Sequence, residues 1–190
     1  MDVVVTSVRI LKNSGIIVFP TDTAFGIGCR IDNHAAVDRL FQIRRRPVNQ
    51  AMPVLVSSIE MALTYYLDPS NVVRRLMKEH WPGALTIVAP CKKNLIYSPI
   101  RGNGETIGLR MPNHRLILKL IEEVGVPILG PSANFHGDPT PYSLSDINPE
   151  LVKLVDYVVP GDCSVKEAST VVDCSVDPYN IIRRGAIKLL

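Results

Sequence analysis

This sequence has no Gly-x-x-x-x-Gly-Lys-Ser/Thr loop, so a bound nucleotide would not be cradled by a P-loop. It has no His-Glu-x-x-His pair to set two zinc ligands on one helical face, and no Gly-x-Ser-x-Gly elbow to expose a nucleophilic serine. Cysteine is scarce: Cys29, Cys91, Cys163 and Cys174 include no Cys-x-x-Cys pair, and their spacing fits reduced packing thiols in a cytosol better than a disulfide framework or a zinc site. A strong excess of one charge is missing too. The 21 basic and 18 acidic side chains leave a net charge of +3, too mild to identify a nucleic-acid binder, although clustered arginines can still form a local anion site. No window approaches the roughly 20 apolar residues needed to span a bilayer. The chain opens Met1-Asp2-Val3-Val4-Val5 without a basic stretch ahead of an apolar run, so a soluble cytoplasmic protein without a signal peptide is expected. No internal repeat or low-complexity segment occurs.

What is present is the composition of an ordinary globular protein, 46% hydrophobic and 21% charged. A length of 190 residues fits one α/β domain spanning residues 1–190. The 15 prolines are spread along the chain and mark strand ends and turns. Val4, Val5, Val8 and Leu11 recur at helical spacing up to Gly15, and Ile16 to Phe19 reads as a buried strand ended by Pro20. Phe25 to Cys29 is a second short apolar run. Asn33 is placed to cap a helix with Ala36, Val37, Leu40 and Phe41 on its apolar face, stopping near Pro47. A strand from Pro53 to Val56 precedes helices around Ile59 to Tyr65 and Val72 to Lys78, and a turn at Trp81-Pro82-Gly83 leads into a strand from Leu85 to Val88. Strand Thr106 to Arg110, a helix bearing Leu116, Ile117, Leu120 and Ile121, and strand Pro127 to Leu129 follow. The last strands are expected near Tyr157 to Val159, Thr170 to Asp173 and Asn180 to Arg183. Several strands succeed one another without helices between them, which predicts an α/β fold with mixed strand directions.

Polar groups gather where apolar strands end, the place at which α/β sheets offer a cleft. Gly26-Ile27-Gly28-Cys29-Arg30-Ile31 begins like a dinucleotide fingerprint but has Ile where the third glycine belongs and opens no clear helix. Pro20-Thr21-Asp22-Thr23, taken alone, reads first as a β-turn, and its hydroxyls also suit a grip on a small polar ligand. Arg44-Arg45-Arg46-Pro47 suits a helix C-terminus, and also a polyanion if the segment unwinds before the proline. Pro131-Ser132-Ala133-Asn134 sets a hydroxyl and an amide on the loop leaving a buried strand, where a cap or Asx turn would do the same. Arg110 and Arg183 each end an apolar run, as surface charges or as clamps on a carboxylate and a phosphate.

Taken in order, these segments resemble the YrdC-like family. The order runs Pro20-Thr21-Asp22-Thr23 through Cys29, Ile43 to Pro47, Trp81-Pro82-Gly83-Ala84-Leu85-Thr86, Ile107 to Pro112, Pro131 to Asn134 with Gly137, Ser169 to Asp173, and Arg183-Arg184-Gly185-Ala186. The resemblance covers nearly the whole chain, at the length of the stand-alone single-domain form. It implies a twisted mixed parallel and antiparallel sheet flanked by helices around a large basic cavity. It also implies synthesis of threonylcarbamoyl-adenylate and pyrophosphate from L-threonine, bicarbonate and ATP, for threonylcarbamoyladenosine modification of tRNA. By the same resemblance, Thr23, Arg110 and Ser169 bind threonine, and Arg44, Arg46, Thr106, Ser132, Asn134 and Arg183 bind ATP. No covalent or acid–base residue is implied. Mg2+ is expected to accompany ATP, with Asp22 or Asp173 as conceivable ligands.

The family's Lys-x-Arg motif is Arg44-Arg45-Arg46 here, which keeps the charge but replaces a compact ammonium with a planar fork. The YciO-like branch also has arginine at that position but typically lacks the Ser-x-Asn that Ser132 and Asn134 supply. The alternatives are a YciO-like homologue, or a module binding double-stranded RNA or tRNA without chemistry. A carbamoyl-transfer component using carbamoyl phosphate fits less well, because such proteins attach zinc-finger and acylphosphatase modules. The expected partners are the substrates, tRNA or double-stranded RNA, and the enzymes of the tRNA threonylcarbamoylation pathway, with no membrane.

Overall fold

A computed structural model describes residues 2–189. Helix α1 (Val3–Lys12) precedes strands β1 (Ile17–Phe19) and β2 (Gly26–Gly28), then α2 (His34–Arg44), β3 (Val54–Leu55), α3 (Ile59–Tyr65) and α4 (Asn71–His80). Strands β4 (Leu85–Pro90) and β5 (Thr106–Arg110), helix α5 (Arg115–Val124), strand β6 (Ile128–Leu129), the short α6 (Pro149–Val152) and strands β7 (Tyr157–Val158), β8 (Thr170–Asp173) and β9 (Asn180–Arg183) complete the order. The expected helices and strands are all present. The additions are α6 and three single-turn 3₁₀ helices, elements too short to show a period in sequence.

The helices begin where side chains can take up their free N–H groups. Asp2 accepts from Val4 N at 2.8 Å and Asn33 from Ala36 N at 2.9 Å. Ser58 and Ser70 do the same for α3 and α4. Helix α2 ends before Pro47 is reached, because Arg45 turns into the left-handed region at φ 53°. On α1 the buried stripe is Val4, Val8 and Leu11, whereas Val5 is 58% exposed, the phase a 3.6-residue period requires.

The strands form two ladders. One has the order β2-β1-β7, and the other the order β6-β3-β5-β4-β8-β9. Pairs β1/β7, β3/β5 and β4/β8 are parallel, and the remaining pairs are antiparallel. Bridges between Gly26 and Ser132 and between Arg30 and Ile128 tie β2 to the segment around β6, so the ladders continue into one twisted mixed layer. Residues of β1 alternate between two apolar clusters: Val18 enters the larger, while Ile17 and Phe19 pack with Val4, Val8, Leu11, Ile117, Leu120 and Ile121 of α1 and α5. That two-sided burial explains a strand with no polar residue. Gly26 and Gly28 serve this joint, and Gly26 also lines the cavity described below. A Cβ at Gly28 would run into the Leu129 carbonyl, and one at Gly26 into the Phe19 ring. Among the described residues no helix is long and apolar enough to cross a membrane.

Candidate functional site

A cavity of about 240 Å³ opens over the floor formed by β4, β5 and β8 and is walled by the turns after β1 and β6. Its lining includes Thr21, Thr23, Thr86, Thr106, Arg110, Ser132, Thr140, Ser169 and Arg183, with Leu55, Met52, Val88 and Val171 among its apolar members. Thr23, Thr106, Arg110, Ser132, Ser169 and Arg183, singled out from separate segments, therefore share one wall system. Only Arg110 and Arg183 carry charge on that lining; the rest is hydroxyl, backbone and hydrocarbon.

The turn after β1 is made by its own hydroxyl. Thr21 Oγ1 donates to the Ala24 carbonyl at 2.7 Å and accepts from the N–H groups of Thr23 and Ala24, both at 3.2 Å. The turn chemistry expected of Pro20-Thr21-Asp22-Thr23 is thus real, and it aims Asp22 and Thr23 at the end of β5. Arg110 waits there, 6% exposed. Its Nε donates to the Gly83 carbonyl at 3.0 Å, Nη1 to Thr23 Oγ1 at 2.6 Å, and Nη2 to Asp22 Oδ1. Burial lowers the Arg110 pKa from its ordinary value, and the Asp22 carboxylate opposes that shift. A guanidinium has five N–H donors, so one remains on each Nη after these three bonds, a pair matched to a carboxylate. Asp22 is the counter-charge that lets the arginine be buried. One of its carboxylate oxygens, Oδ1, is thereby engaged by Arg110.

On the opposite side Arg183 Nε donates to the Ser169 carbonyl at 3.0 Å, and Nη2 donates to Ser169 Oγ at 2.9 Å. No carboxylate pairs with Arg183 among the described residues, and burial lowers its pKa. Thr86 Oγ1 is 2.9 Å from Ser169 Oγ.

Arg44, Arg46 and Asn134 stand behind the lining. Arg44 donates from Nε to the Asn134 carbonyl and from Nη2 to Asn134 Oδ1, both at 3.1 Å, and Ser132 Oγ donates to that same Oδ1 at 2.6 Å. Asn134 Nδ2 donates to the Asp138 carbonyl at 2.6 Å. Arg44 Nη1 is buried and without a hydrogen-bond partner among the described residues. Burial, with a further push from Arg46, brings the Arg44 pKa down to about 10, so the group stays charged at neutral pH. Arg46 is held by the carbonyls of Gln50 and Ala51, at 3.1 and 2.8 Å. The two arginines therefore do not project side by side from an unwound segment, as the sequence suggested. Arg44 sits on the last turn of α2 and Arg46 past the left-handed break. Asp173, the other conceivable magnesium ligand, is not on the lining, and its Oδ1 accepts from the backbone and hydroxyl of Ser175 at 2.9 and 2.6 Å. No group of three or more His, Cys, Asp or Glu side chains set for a metal occurs among the described residues.

Thr21, Thr86 and Thr140 were not singled out as site residues by the sequence. Thr21 and Thr86 lie inside quoted segments, but nothing in a sequence says that a threonine in a strand faces a cavity and not a neighbour. The thiols behave as expected of packing groups: all four are free, and Cys29, Cys91 and Cys163 are buried.

A family model named Sua5_yciO_yrdC, described as "Telomere recombination", matches residues 9–185. The chain is 32% identical over 179 residues to the threonylcarbamoyl-AMP synthase of Bacillus subtilis, covering 94% of this chain and 52% of that protein. It is 30% identical over 181 residues to the uncharacterized protein YciO of Escherichia coli K12, covering 94% of this chain and 87% of that one. The crystal structure of Pyrococcus abyssi Sua5 complexed with L-threonine superposes with a TM-score of 0.88 at 28% identity, over 96% of this chain and 54% of that one. The chain thus spans about half the length of the Bacillus subtilis and Pyrococcus abyssi synthases, but 80% of the threonylcarbamoyl-AMP synthase of Klebsiella pneumoniae.

Proposed function

The chain belongs to the Sua5/YciO/YrdC family, and on that premise we propose that it forms threonylcarbamoyl-adenylate and pyrophosphate from L-threonine, bicarbonate and ATP. Addition of bicarbonate to the threonine amine with loss of water gives a carbamate. A carbamate oxygen attacks the α-phosphorus of ATP, and pyrophosphate leaves with the electron pair of the broken bond. Two anionic reactants must be held in line and their charge neutralised, a task for guanidinium, amide and hydroxyl groups without a covalent nucleophile.

The observation that supports this best is Arg110: a buried guanidinium on the cavity lining, fixed by three hydrogen bonds and with two N–H donors unused. We assign it the threonine carboxylate, with Thr23 and Ser169 beside it. Arg183, Thr106 and Ser132 are assigned to the nucleotide. Arg44, whose Nη1 is buried and unpartnered, and Arg46 and Asn134 support the phosphate end. A nucleoside triphosphate exceeds an enclosure of about 240 Å³, which is smaller than most small-molecule clefts, so its outer part lies at the mouth. Mg2+ enters on the ATP phosphates, with few dedicated protein ligands. The product serves threonylcarbamoylation of tRNA in the cytoplasm, carried on by partner enzymes of that pathway.

One fact favours a second reading, a YciO-like activity: Arg44 stands in place of the family lysine and is turned toward Asn134. Pyrophosphate release separates the two. The synthase reading requires release that depends on both threonine and bicarbonate; ATP breakdown indifferent to threonine would overturn it.

A further inference from the structure

The Trp81–Thr86 segment entered the family resemblance with no role for any of its side chains. Two groups in it hold the cavity in place: the Gly83 carbonyl takes Arg110 Nε, and the Thr86 hydroxyl meets Ser169. Thr86 is 4% exposed. Strand β4 runs antiparallel to β5 with Ile87 opposite Leu109 and Val88 opposite Gly108, so one step further the same register sets Thr86 opposite Arg110. On its other side β4 runs parallel to β8 with Thr86 beside Val171, and Val171 in turn faces Arg183 of β9. The row across the cavity floor therefore reads Arg110, Thr86, Val171, Arg183, with Ser169 just ahead of Val171. Strands about 4.8 Å apart set the two arginine backbones roughly 14 Å from each other, with Thr86 between them.

The hydrogen-bond polarity of this row can be counted. A guanidinium only donates, so Arg183 Nη2 fixes Ser169 Oγ as an acceptor. Thr86 and Ser169 have two hydroxyl protons, and their mutual bond uses one. The other is left for a ligand, on Thr86 when Ser169 donates and on Ser169 when Thr86 donates. We infer that Thr86 is a positioning residue that sets the Ser169 hydroxyl, so that the pair offers one proton to a carboxyl or carbonate oxygen lying between Arg110 and Arg183. The identity of that oxyanion rests on the synthase reading, in which it belongs to threonine or to the bicarbonate-derived carbon.

The test is steady-state kinetics of the full chain with threonine, bicarbonate and ATP varied in turn, on the parent, three single variants and one double variant. Thr86→Val removes the hydroxyl at nearly constant shape, Thr86→Ser keeps it and removes the methyl, and Ser169→Ala removes its partner. Thr86→Val is expected to raise the KM for threonine or bicarbonate about 10-fold or more, as loss of one buried hydrogen bond does. The KM for ATP should stay within about twofold, because Arg183 keeps its bond to the Ser169 carbonyl. Thr86→Ser should restore most of the loss, and Ser169→Ala combined with Thr86→Val should cost less than the product of the two single effects. If Thr86→Val does not fold, as read by urea denaturation, Thr86→Ala takes its place. A Thr86→Val enzyme like the parent, a Thr86→Ser enzyme as damaged as Thr86→Val, or all three KM values rising together would each overturn the inference. A parent with no threonine-dependent pyrophosphate release would instead sink the synthase reading, and the inference with it.

Discussion

Replacing Arg110 by lysine separates what this side chain does for the fold from what it does for a ligand. Alanine would confound the two. It would leave Asp22, itself 3% exposed, as a buried charge without a partner, and breaking such a pair costs about 3–5 kcal/mol. That is a large part of the roughly 5–15 kcal/mol that holds a domain folded. Lysine keeps a cation beside Asp22. One ammonium cannot also satisfy the Gly83 carbonyl, Thr23 Oγ1 and a carboxylate with the planar geometry of the fork. The native protein should therefore lose about 1–3 kcal/mol, read as a lowered urea midpoint with unchanged slope. The second half of a bidentate, charge-assisted carboxylate contact is worth about 1.5–3 kcal/mol, which corresponds to a rise of about 10- to 150-fold in the threonine KM. The assay is threonine-dependent pyrophosphate release at saturating ATP and bicarbonate, with the ATP KM measured separately. A threonine KM within about twofold of the parent, with the ATP KM displaced instead, would refute the assignment of Arg110 to the carboxylate.

Gly28→Ala drives a methyl group into the Leu129 carbonyl at the joint between the two ladders, where backbone cannot retreat as a side-chain end can. It should lower stability by about 1–3 kcal/mol in urea titration, and an unchanged midpoint would contradict the close approach. The Cys29 thiol is pushed up to about 12 from its ordinary 9.0, chiefly by burial, so at pH 8 it holds roughly a thousandfold less thiolate than an open cysteine. Alkylation of native protein should spare Cys29, and denaturation should expose it. Because the folded thiol keeps its proton where an unfolded one releases it, this stabilising contribution is fully present below pH 9.0 and is lost as pH rises toward 12.

The sequence was most legible where burial repeats with a strict period or where a cap is named by its residue. Thr170 to Asp173 and Asn180 to Arg183 appear with the bounds expected, and Asn33 caps α2 as its position suggested. Periodicity was weaker on phase: Val5 belongs to the apolar run of α1 yet faces solvent. The site was legible as a set of segments but not as a set of contacts. Thr23, Arg110 and Ser169 are far apart in sequence; the register of β4, β5 and β8 brings Arg110 and Ser169 to one floor, and the turn after β1 sets Thr23 against Arg110. The pairing of Asp22 with Arg110 was not legible, because a lone carboxylate in a turn says nothing of an arginine eighty-eight residues away. Arg44 and Arg46 looked like a pair because they are two residues apart. The left-handed step at Arg45 sends them to different partners, one to Asn134 and the other to the carbonyls of Gln50 and Ala51. Hydroxyl direction at Thr86 follows from strand order, which no local pattern encodes.

The central claim is that one cavity holds an amino acid beside a nucleotide and joins them through a carbon taken from bicarbonate. Incubation of the full chain with ¹³C-bicarbonate, L-threonine and Mg-ATP, followed by mass spectrometry of the quenched mixture, tests it directly. The account requires threonylcarbamoyl-adenylate that carries the label and disappears when threonine is left out. AMP and pyrophosphate formed without any labelled adenylate, or no turnover of ATP at all by folded protein, would contradict it.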